Sequence, residues 1–547
     1  KEGLFFMFKR TLVVFGLLMF FICLCIIRLD DISSGSDLYD AALCQQSYKI
    51  KVCDIRGNIY DCRNYPLVNQ DNKFATVVVP SVQSINDVYK FISEDNVSKV
   101  CEQFKFGRPF VVEISKRDNV PNIDMFKIPV RYSSVTLAPH VIGYIDGDKN
   151  GVYGIEKAYN EFLKDKDNAV YVKYNVDAAN KIITGNNKFI DDKSYMMSKG
   201  VVLNIDARIQ KLAEEVSNKY IEKGAVLITE VPNCEIRASV SLPSFSPRNV
   251  SDYLNDKNSP LLNRVMCKYN VGSIFKLITA ATALESGVSE DYSYECSGGI
   301  DIQDKVFHCF NGKPHGTVDM EKAIAYSCNT YFIELLKSID ITDMLKLSSE
   351  LNFGKSQELA PGIISSSGYL PSDEELKSEK NRANFSFGQG SLLATPLQIS
   401  GLINMIASKG EYSEPKLVKG LVNENLKFIN SCDKAKKKRV LSEQTAEKLK
   451  KYMKETVESG TGTKAKMKDY SAGGKTGTAQ KIPRSAGTYI VSFCGFAPAE
   501  NPQVLVYVVI DEIQKESQTN TGLAVEVAKN VLKGSLKELN VPKSNKK

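Results

Sequence analysis

The sequence has no tryptophan and only three histidines among its 547 residues. It also has no internal repeat and no long low-complexity stretch, so its length predicts an ordinary folded protein of two or three domains. Charge of one sign is not in large excess either, since 71 lysines and arginines against 64 aspartates and glutamates give a formal charge of +7. Spread over so large a surface, that charge gives no indication of nucleic-acid binding.

Long apolar runs are absent except near the amino end. Residues 11–29 read TLVVFGLLMFFICLCIIRL, with no charge before Arg28, and Lys9 and Arg10 precede them. This run is about long enough to cross a bilayer, and it lacks the short apolar centre and cleavage site of a signal peptide. The alternative, a core helix, is seldom apolar on all faces. We therefore expect a cytoplasmic segment over 1–10, a single-pass anchor in the cell membrane over 11–29, and an extracytoplasmic bulk.

The thirteen cysteines cannot all form disulfides within the exported part of the chain. Cys23 and Cys25 fall inside the predicted anchor, which leaves an odd number outside it. Exported proteins usually oxidise their thiols. Free cysteines here therefore indicate either a reducing habitat or a metal that holds some of them.

The pattern of the chain changes near residue 200. Before it, short β-like runs such as FATVVVP and PFVVEIS alternate with polar stretches. After it, GVVLNID and GAVLITEV predict strands on either side of an amphipathic helix, ARIQKLAEEVSNKYIEKG, that ends at a glycine. Near the carboxyl end, TYIVSFCGFAP and QVLVYVVIDE predict strands, and TGLAVEVAKNVLKGSLKEL predicts a helix. We expect one sheet assembled from these distant segments.

A serine precedes a lysine by three residues in YNVGSIFKLITAATALESG, at the predicted start of a helix. On a helix, Ser273 and Lys276 would lie on one face within hydrogen-bonding reach. An unprotonated lysine in a dry, positively crowded cleft can take the proton of a serine and make it a nucleophile. The backbone N–H groups of a helix start can stabilise an oxyanion. Alone the pattern is weak, because a capping serine beside a surface lysine has the same spacing.

Two further motifs follow in order. SCN stands at 327–329 between two helical stretches, and KTGT stands at 475–478 before strand-like sequence. With S-x-x-K, S-x-N and K-T-G together, the chain resembles the penicillin-binding proteins. Three more stretches are similar to their transpeptidase domain: GAVLITEVPNCEIRASVSLPSFSPRN, FSFGQGSLLATPLQ and SFCGFAPAENPQVLVYVVIDE. DIRGNIYDCRNYPLV is similar to the start of the pedestal in class B members. One departure from the family pattern is Asn270-Val271, where Glu-Pro often precedes the glycine before the nucleophile.

The resemblance implies an α+β fold. Its main part would be a penicillin-binding/serine β-lactamase-like transpeptidase domain over 201–540, a central antiparallel sheet with helices on both sides. An extended β-rich pedestal or dimerisation domain over 30–200 and one N-terminal transmembrane helix would precede it, and a basic tail over 541–547 would follow. No stretch resembles the glycosyltransferase domain of bifunctional relatives.

The resemblance also implies the catalytic residues. Ser273 would be the acylated nucleophile, and Lys276 would take its proton. Ser327 would relay a proton to the leaving D-alanine, while Asn329 would bind the backbone amide of the donor peptide. Lys475 would keep the cleft positively charged.

The last motif would bind the substrate. Thr476 and Thr478 would bind its terminal carboxylate, and a side chain at Gly477 would collide with a peptide lying along the strand edge. The backbone N–H groups of Ser273 and Thr478 would form the oxyanion hole.

A second constellation lies between the first two motifs. Thirty-three residues hold three cysteines and two of the three histidines, and four of these side chains form the candidate site: Cys296, Cys309, His315 and Cys328. Such ligands in a short span are typical of structural Zn²⁺, and the intervening loop has little apolar content with which to fold. If SCN is extended, Ser327 and Asn329 face the cleft while Cys328 points behind it, where a metal would brace the segment.

The alternatives for this cluster are a Cys296–Cys309 disulfide, which an extracytoplasmic location favours, and free thiols. One ligand could also be replaced by Asp301, Asp304 or His308. Four protein ligands would close the coordination sphere, so we do not expect a metal-dependent hydrolase.

The implied function is a serine-type D-Ala-D-Ala transpeptidase that cross-links peptidoglycan stem peptides in cell-wall synthesis, serving cell shape, cell division or spore formation. β-Lactams would be its covalent inhibitors, and a membrane glycan polymerase of the shape, elongation, division and sporulation family its partner. Three alternatives are a non-catalytic scaffold of a cell-wall complex, a serine β-lactamase and a β-lactam receptor. The complete set of motif residues argues against the scaffold, and a β-lactamase has no need of an anchor and a pedestal. A receptor needs a cytoplasmic output domain, for which we expect the segment 1–10 to be too short.

Overall fold

The computed structural model describes residues 2–34, 47–92, 96–114, 125–164, 169–177, 182–183, 188–191, 199–432, 437–480, 487–514 and 521–543. The end of the predicted basic tail, 544–547, lies outside them. Contacts divide the chain into two compact units. The first consists of Lys1–Ile55, Asn72–Pro129 and Lys166–Tyr195, and the second of Arg56–Asp71, Val130–Asp165 and Met196–Lys547.

Both units contain strands and helices. The strands are β1 (Ser47–Asp54), β2 (Asn58–Tyr60), β3 (Asp71–Val78), β4 (Phe110–Ile114), β5 (Met125–Val130), β6 (Ala169–Asn175), β7 (Lys188–Asp191), β8 (Gly200–Leu203), β9 (Gly224–Glu230), β10 (Glu235–Leu242), β11 (Tyr269–Asn270), β12 (Tyr294–Cys296), β13 (Gly299–Ile302), β14 (Lys305–His308), β15 (Gly316–Val318), β16 (Glu358–Ala360), β17 (Ile363–Ile364), β18 (Leu393–Ala394), β19 (Glu411–Tyr412), β20 (Val418–Val422), β21 (Phe428–Ser431), β22 (Lys438–Arg439), β23 (Gly473–Gln480), β24 (Thr488–Ala497) and β25 (Val504–Gln514). The α-helices are α1 (Glu2–Ser34), α2 (Val82–Val88), α3 (Val97–Lys105), α4 (Pro139–Ile142), α5 (Gly154–Ala158), α6 (Asn160–Leu163), α7 (Ala207–Tyr220), α8 (Lys276–Glu285), α9 (Met320–Ala325), α10 (Asn329–Leu335), α11 (Ile341–Glu350), α12 (Glu379–Ser386), α13 (Pro396–Ala407), α14 (Glu443–Glu458) and α15 (Thr521–Glu538).

The first unit holds helix α1 and two three-stranded sheets. The sheets have the strand orders β1-β6-β7 and β4-β3-β5, and buried valines such as Val52, Val77 and Val172 form a core between their strands. Within α1, Met7–Ser33 is long and apolar enough to cross a membrane, and its side chains are exposed.

The centre of the second unit is a five-stranded antiparallel sheet of order β10-β9-β25-β24-β23. Both faces are covered, and alternate residues of β25 point into opposite cores. Leu505 and Val509 belong to the core that includes α13, whereas Val506 and Val508 belong to the core shared with α7 and α15. The prediction of one sheet from distant segments is confirmed, and strand β23, which carries KTGT, lies at its edge.

Local capping explains where two of the covering helices begin. All twelve residues of α13 are buried. The Thr395 side chain and Gln398 form a capping box before it. Helix α7 begins at the cap Asp206 and ends at Tyr220, so the predicted end at a glycine is wrong. Gly224 instead starts strand β9, where a side chain would collide with the backbone of Val509.

Two early segments of the chain pack into the second unit. Strand β2 pairs in parallel with β8. Glu156 is fully buried, and Arg56 Nε donates to its carboxylate at 2.7 Å while Arg131 binds its other oxygen. This ion-pair cluster ties 56–71 and 130–165 together. The predicted domain boundary at residue 200 stays a prediction, because the two units are defined by which residues pack together and not by what each domain does.

Candidate active site and thiol cluster

Ser273 lies on a single 3₁₀ turn, Gly272–Phe275, that leads directly into α8. Gly272 has a φ of 62°, in the left-handed region that glycine tolerates best. A side chain there would approach the carbonyl oxygen of Thr478 to 2.8 Å. The backbone N–H of Gly272 donates to Gly388 O at 2.9 Å. The glycine therefore allows the KTGT strand to lie against the turn that bears the serine.

Lys276 is fully buried at the first position of α8. Its amine lies 2.7 Å from Ser327 O, 3.0 Å from Ser327 Oγ and 2.7 Å from Asn329 Oδ1. Among the residues that the structure describes, none forms a side-chain hydrogen bond with Ser273. The expected Ser273–Lys276 hydrogen bond is thus not made in this structure, because the lysine turns toward the SCN segment.

The SCN segment is a tight connection between α9 and α10 and not an extended strand. Ser327 has a φ of 59°, in the left-handed region, Cys328 is extended, and Asn329 begins α10. The condition of an extended SCN segment is therefore met only at Cys328. Its consequence still holds, since Ser327 and Asn329 contact Lys276 while Cys328 is buried beside Cys309. A strained serine of this kind is typical of functional sites.

Lys475 completes a chain of hydrogen bonds. It is fully buried on β23, and its amine donates to Ser327 Oγ at 3.0 Å and to Thr476 O at 3.2 Å. Ser327 Oγ therefore lies between two amines, those of Lys276 and Lys475. Three segments far apart in the sequence meet at this one oxygen.

The electrostatics of the two lysines follow from their burial. Burial, and then the neighbouring Lys475, lowers the pKa of Lys276 well below its ordinary value. Burial lowers the pKa of Lys475 to about 7. A neutral Lys276 amine has two hydrogens, which it can donate to Ser327 O and Asn329 Oδ1. It also has a lone pair that can accept the Ser327 hydroxyl proton. The arrangement is suited to moving a proton between an attacking and a leaving group.

Gly477 lies in close contact with side chains of the protein itself. A side chain there would collide with Ser492 Oγ and approach Ile274 to 3.3 Å. The protein therefore gives a second reason for this glycine, beside the collision with substrate that stays a prediction. Thr476 and Thr478, on either side of it, are half-buried at the edge strand.

Comparison with known proteins agrees with this geometry. Residues 224–533, more than half of the chain, match the family model described as penicillin binding protein transpeptidase domain. The chain belongs to the penicillin-binding protein family. The class B resemblance implied by its motifs is confirmed.

Relatives and solved structures resemble nearly the whole chain. Stage V sporulation protein D of Bacillus subtilis (strain 168) is 28% identical over 584 residues, which cover 98% of this chain and 87% of that protein. Peptidoglycan D,D-transpeptidase FtsI of Escherichia coli (strain K12) is 24% identical, with 79% and 71% covered. The crystal structure of penicillin binding protein 3 from Mycobacterium tuberculosis with aztreonam has a TM-score of 0.65 at 20% identity, with 91% and 98% covered. The predicted fold class is confirmed.

This penicillin-binding protein also brings together the four predicted metal ligands. The ligand atoms of Cys296, Cys309, His315 and Cys328 all lie within 4.8 Å of one another. Cys309 Sγ is 3.7 Å from both other sulfurs, and Cys296 Sγ is 3.4 Å from His315 Nδ1. No pair of cysteines in the described part of the chain forms a disulfide, so the Cys296–Cys309 disulfide is not present in this structure.

The cluster favours a thiolate. The Cys328 thiol, together with hydrogen bonds from Thr330 and the backbone N–H of Asn329, lowers the pKa of Cys309 against the opposing effect of burial, and the same pairing with Cys309 raises the pKa of Cys328. The buried Thr330 hydroxyl donates to Cys296 Sγ at 3.1 Å.

Sequence reasoning missed three contacts to the motif residues, although it named His308 as a possible metal ligand. His308 O accepts from Asn329 Nδ2 at 2.8 Å, Gln389 Nε2 donates to Thr478 O at 3.4 Å, and Thr461 Oγ1 lies 2.8 Å from Thr476 Oγ1. Only Gln389 lay in a stretch that resembled the family, FSFGQGSLLATPLQ. The contacts of His308 and Thr461 could not be expected from the sequence, because both depend on long-range packing.

Proposed function

We propose that this protein is a membrane-anchored, monofunctional serine D,D-transpeptidase that cross-links peptidoglycan stem peptides. The observation that carries the proposal is the hydrogen-bonded chain from Lys475 through Ser327 to Lys276, one helical turn from Ser273. A scaffold has no use for two desolvated lysines on one serine, since burying them is costly.

Acylation would begin with the transfer of a proton from Ser273 to the neutral amine of Lys276. As Ser273 Oγ bonds to the carbonyl carbon of the penultimate D-Ala, negative charge develops on the carbonyl oxygen. The backbone N–H groups of Ser273 and Thr478 would stabilise it, by about 3 kcal/mol for each donor. Side-chain rotation at Ser273 or Lys276 would be needed first, because the two are not hydrogen-bonded at rest.

The leaving group would take its proton through Ser327. The C–N bond to the terminal D-alanine breaks, its nitrogen receives the Ser327 hydroxyl proton, and Lys276 returns the proton to Ser327 across the 3.0 Å contact. An amine of a neighbouring stem peptide then attacks the ester. Its proton returns to Ser273, and a new peptide bond forms.

The remaining motif residues would hold the donor peptide. We propose that Asn329 binds its backbone amide, that Thr476 and Thr478 bind its carboxylate, and that Lys475 supplies positive charge beside them. β-Lactams would acylate Ser273 by opening of the ring amide and leave a stable ester. In support, a fold neighbour is described in complex with aztreonam.

The cellular setting is part of the proposal. Helix α1 would anchor the chain in the cell membrane with the bulk outside, and a membrane glycan polymerase of the shape, elongation, division and sporulation family would be its partner. The apolar, exposed surface of Met7–Ser33 supports the anchor. The names of the relatives, a stage V sporulation protein and D,D-transpeptidases, support a role in cell-wall synthesis.

A gel with fluorescent penicillin tests the enzyme proposal. We expect a stable label on the wild type and on Ser286→Ala, whose exposed serine follows α8 at its other end, but none on Ser273→Ala. Rapid loss of the label would indicate a β-lactamase, and no label on the wild type would favour a scaffold. In the described part of the chain, no carboxylate contacts Ser273, Lys276 or Ser327 to activate water for such hydrolysis.

We further propose that the thiol cluster binds a structural Zn²⁺ through Cys296, Cys309, His315 and Cys328. Tetrahedral zinc with sulfur ligands at about 2.3 Å has sulfur–sulfur edges of about 3.8 Å, close to the observed 3.7 Å, whereas a disulfide requires about 2.05 Å. Three sulfurs and one nitrogen would close the coordination sphere, so the metal would not enter the reaction. Elemental analysis should find about one zinc per chain.

A further inference from the structure

The turn after helix α14 is held between two parts of the active site. The Thr461 N–H donates to Ala325 O at 3.0 Å, and a side chain at Gly460 would collide with the same carbonyl. Ala325 is the last residue of α9, two positions before Ser327. The turn is therefore fixed against the SCN segment by its backbone.

The side chain of Thr461 extends from this turn to the KTGT strand. Its Oγ1 lies 2.8 Å from Thr476 Oγ1 and 3.3 Å from Ala325 O. Thr461 is exposed and Thr476 half-buried, so a ligand along the strand edge can reach the pair.

Each of these hydroxyls has one hydrogen and two lone pairs. When Thr461 donates to Ala325 O, Thr476 donates to Thr461 and has no hydrogen left for a ligand. When Thr461 instead donates to Thr476, the Thr476 hydrogen is free to bind an anion. Because the bond to Ala325 O is long, this exchange costs little.

We propose that Thr461 is a positioning residue for the ligand's carboxylate: its hydroxyl donates to Thr476 so that Thr476 can donate to the terminal carboxylate of an acyl-D-Ala-D-Ala peptide or to the ring carboxylate of a β-lactam. The inference rests on the proposed function, in which Thr476 binds that group. It adds a residue outside the three motifs to those that determine how the carboxylate is bound.

The test compares acylation by a penicillin with acylation by its methyl ester, which lacks the anion. Thr461→Val keeps the side-chain shape but removes the hydroxyl. We expect it to reduce the ratio of the acylation rate constant for the acid to that for the ester about three- to tenfold, the effect of losing one hydrogen bond. Thr461→Ser should restore the wild-type ratio. Thr463→Val is the matched control, an exposed threonine two residues on, and should leave both rates unchanged.

The outcomes separate this inference from the proposed function. If Thr461→Val lowers both rates equally, or changes neither, Thr461 does not act on the carboxylate and the inference is overturned. If wild-type protein is not acylated by either compound, the proposed function itself fails, and the inference fails with it.

Discussion

Two buried lysines on one serine hydroxyl are the residue-scale basis of the proposed chemistry. Lys276 and Lys475 both lie 3.0 Å from Ser327 Oγ, and a second cation nearby keeps the first one neutral. Lys276 can therefore act as a base at neutral pH, while Lys475 remains partly charged.

The pKa of Lys475 predicts a pH dependence. Since that pKa is about 7, Lys475 is positively charged below this pH and loses its charge as the pH rises through it. We expect the rate constant for acylation by a carboxylate-bearing penicillin, which reports the free enzyme, to fall between about pH 7 and 9. The methyl ester should show no such fall, and equal profiles for the two compounds would contradict this role of Lys475.

Gly477 gives a second prediction at this scale. Gly477→Ala should lower the free energy of unfolding by about 1 to 3 kcal/mol, because the new methyl group collides with Ser492 Oγ. The double variant with Ser492→Ala should recover both the melting temperature and acylation. Recovery of stability without acylation would show that the added methyl group collides with substrate, as the sequence suggested.

Helical spacing predicted that Ser273 and Lys276 are neighbours, but it could not predict the partner of the lysine. That partner, Ser327, is 51 residues away and reaches Lys276 through a left-handed backbone conformation. The contacts of Thr461 with Thr476 and of His308 with Asn329 were missed for the same reason, since they depend on how distant segments pack. The motif residues could be predicted because the motifs of a known family identify residues that its fold brings together.

At the scale of elements, a hairpin connects the thiol cluster to the catalytic segment. Strands β13 and β14 pair between Cys296 and Cys309, so a metal at the cluster would close the base of the hairpin. The last residue of β14, His308, accepts a hydrogen bond from Asn329. Loss of the proposed metal should therefore loosen the support of Asn329 as well as the loop.

This coupling predicts the effect of removing a ligand. Cys328→Ser should lose bound zinc, melt at a lower temperature and acylate more slowly, whereas Cys101→Ser, an exposed cysteine of the first unit, should change none of the three. Scanning fluorimetry with elemental analysis provides the measurement. Normal acylation by a zinc-free Cys328→Ser protein would contradict the coupling.

At the scale of the whole molecule, the second unit is built from segments far apart in the sequence. The periodicity of β9, β24 and β25 was sufficient to predict one sheet from distant strands. The inclusion of 56–71 and 130–165 was not predicted, because it depends on the buried Glu156 and its two arginines. A buried ion pair has no distinct pattern in a single sequence.

This ion-pair cluster predicts a large loss of stability when one partner is removed. Arg56→Met leaves the buried Glu156 with one cation fewer and should lower the free energy of unfolding by about 3 to 5 kcal/mol. Arg63→Met removes the half-exposed guanidinium that pairs with the buried Asp206. Because Arg208 still binds that carboxylate, this variant should cost about 1 kcal/mol or less. Urea denaturation measures both, and equal losses would contradict a special role for the cluster.

The same cluster has a pH dependence of known sign. Burial would raise the pKa of Glu156, but Arg131 and Arg56 outweigh it and hold the pKa below its ordinary value. Its contribution to stability is therefore present above the unfolded-state pKa and is lost as the pH falls through the folded-state pKa. The difference between wild type and Arg56→Met should shrink on acidification.

Peptide mapping of the penicillin adduct tests the central claim most directly. Trypsin cleaves after Lys268 and Lys276, so the peptide of residues 269–276 carries Ser273. We expect mass spectrometry to find one penicilloyl group on that serine and none elsewhere, persisting after the free drug is removed. An adduct on another residue, or no adduct at all, would contradict the assignment of Ser273 as the nucleophile.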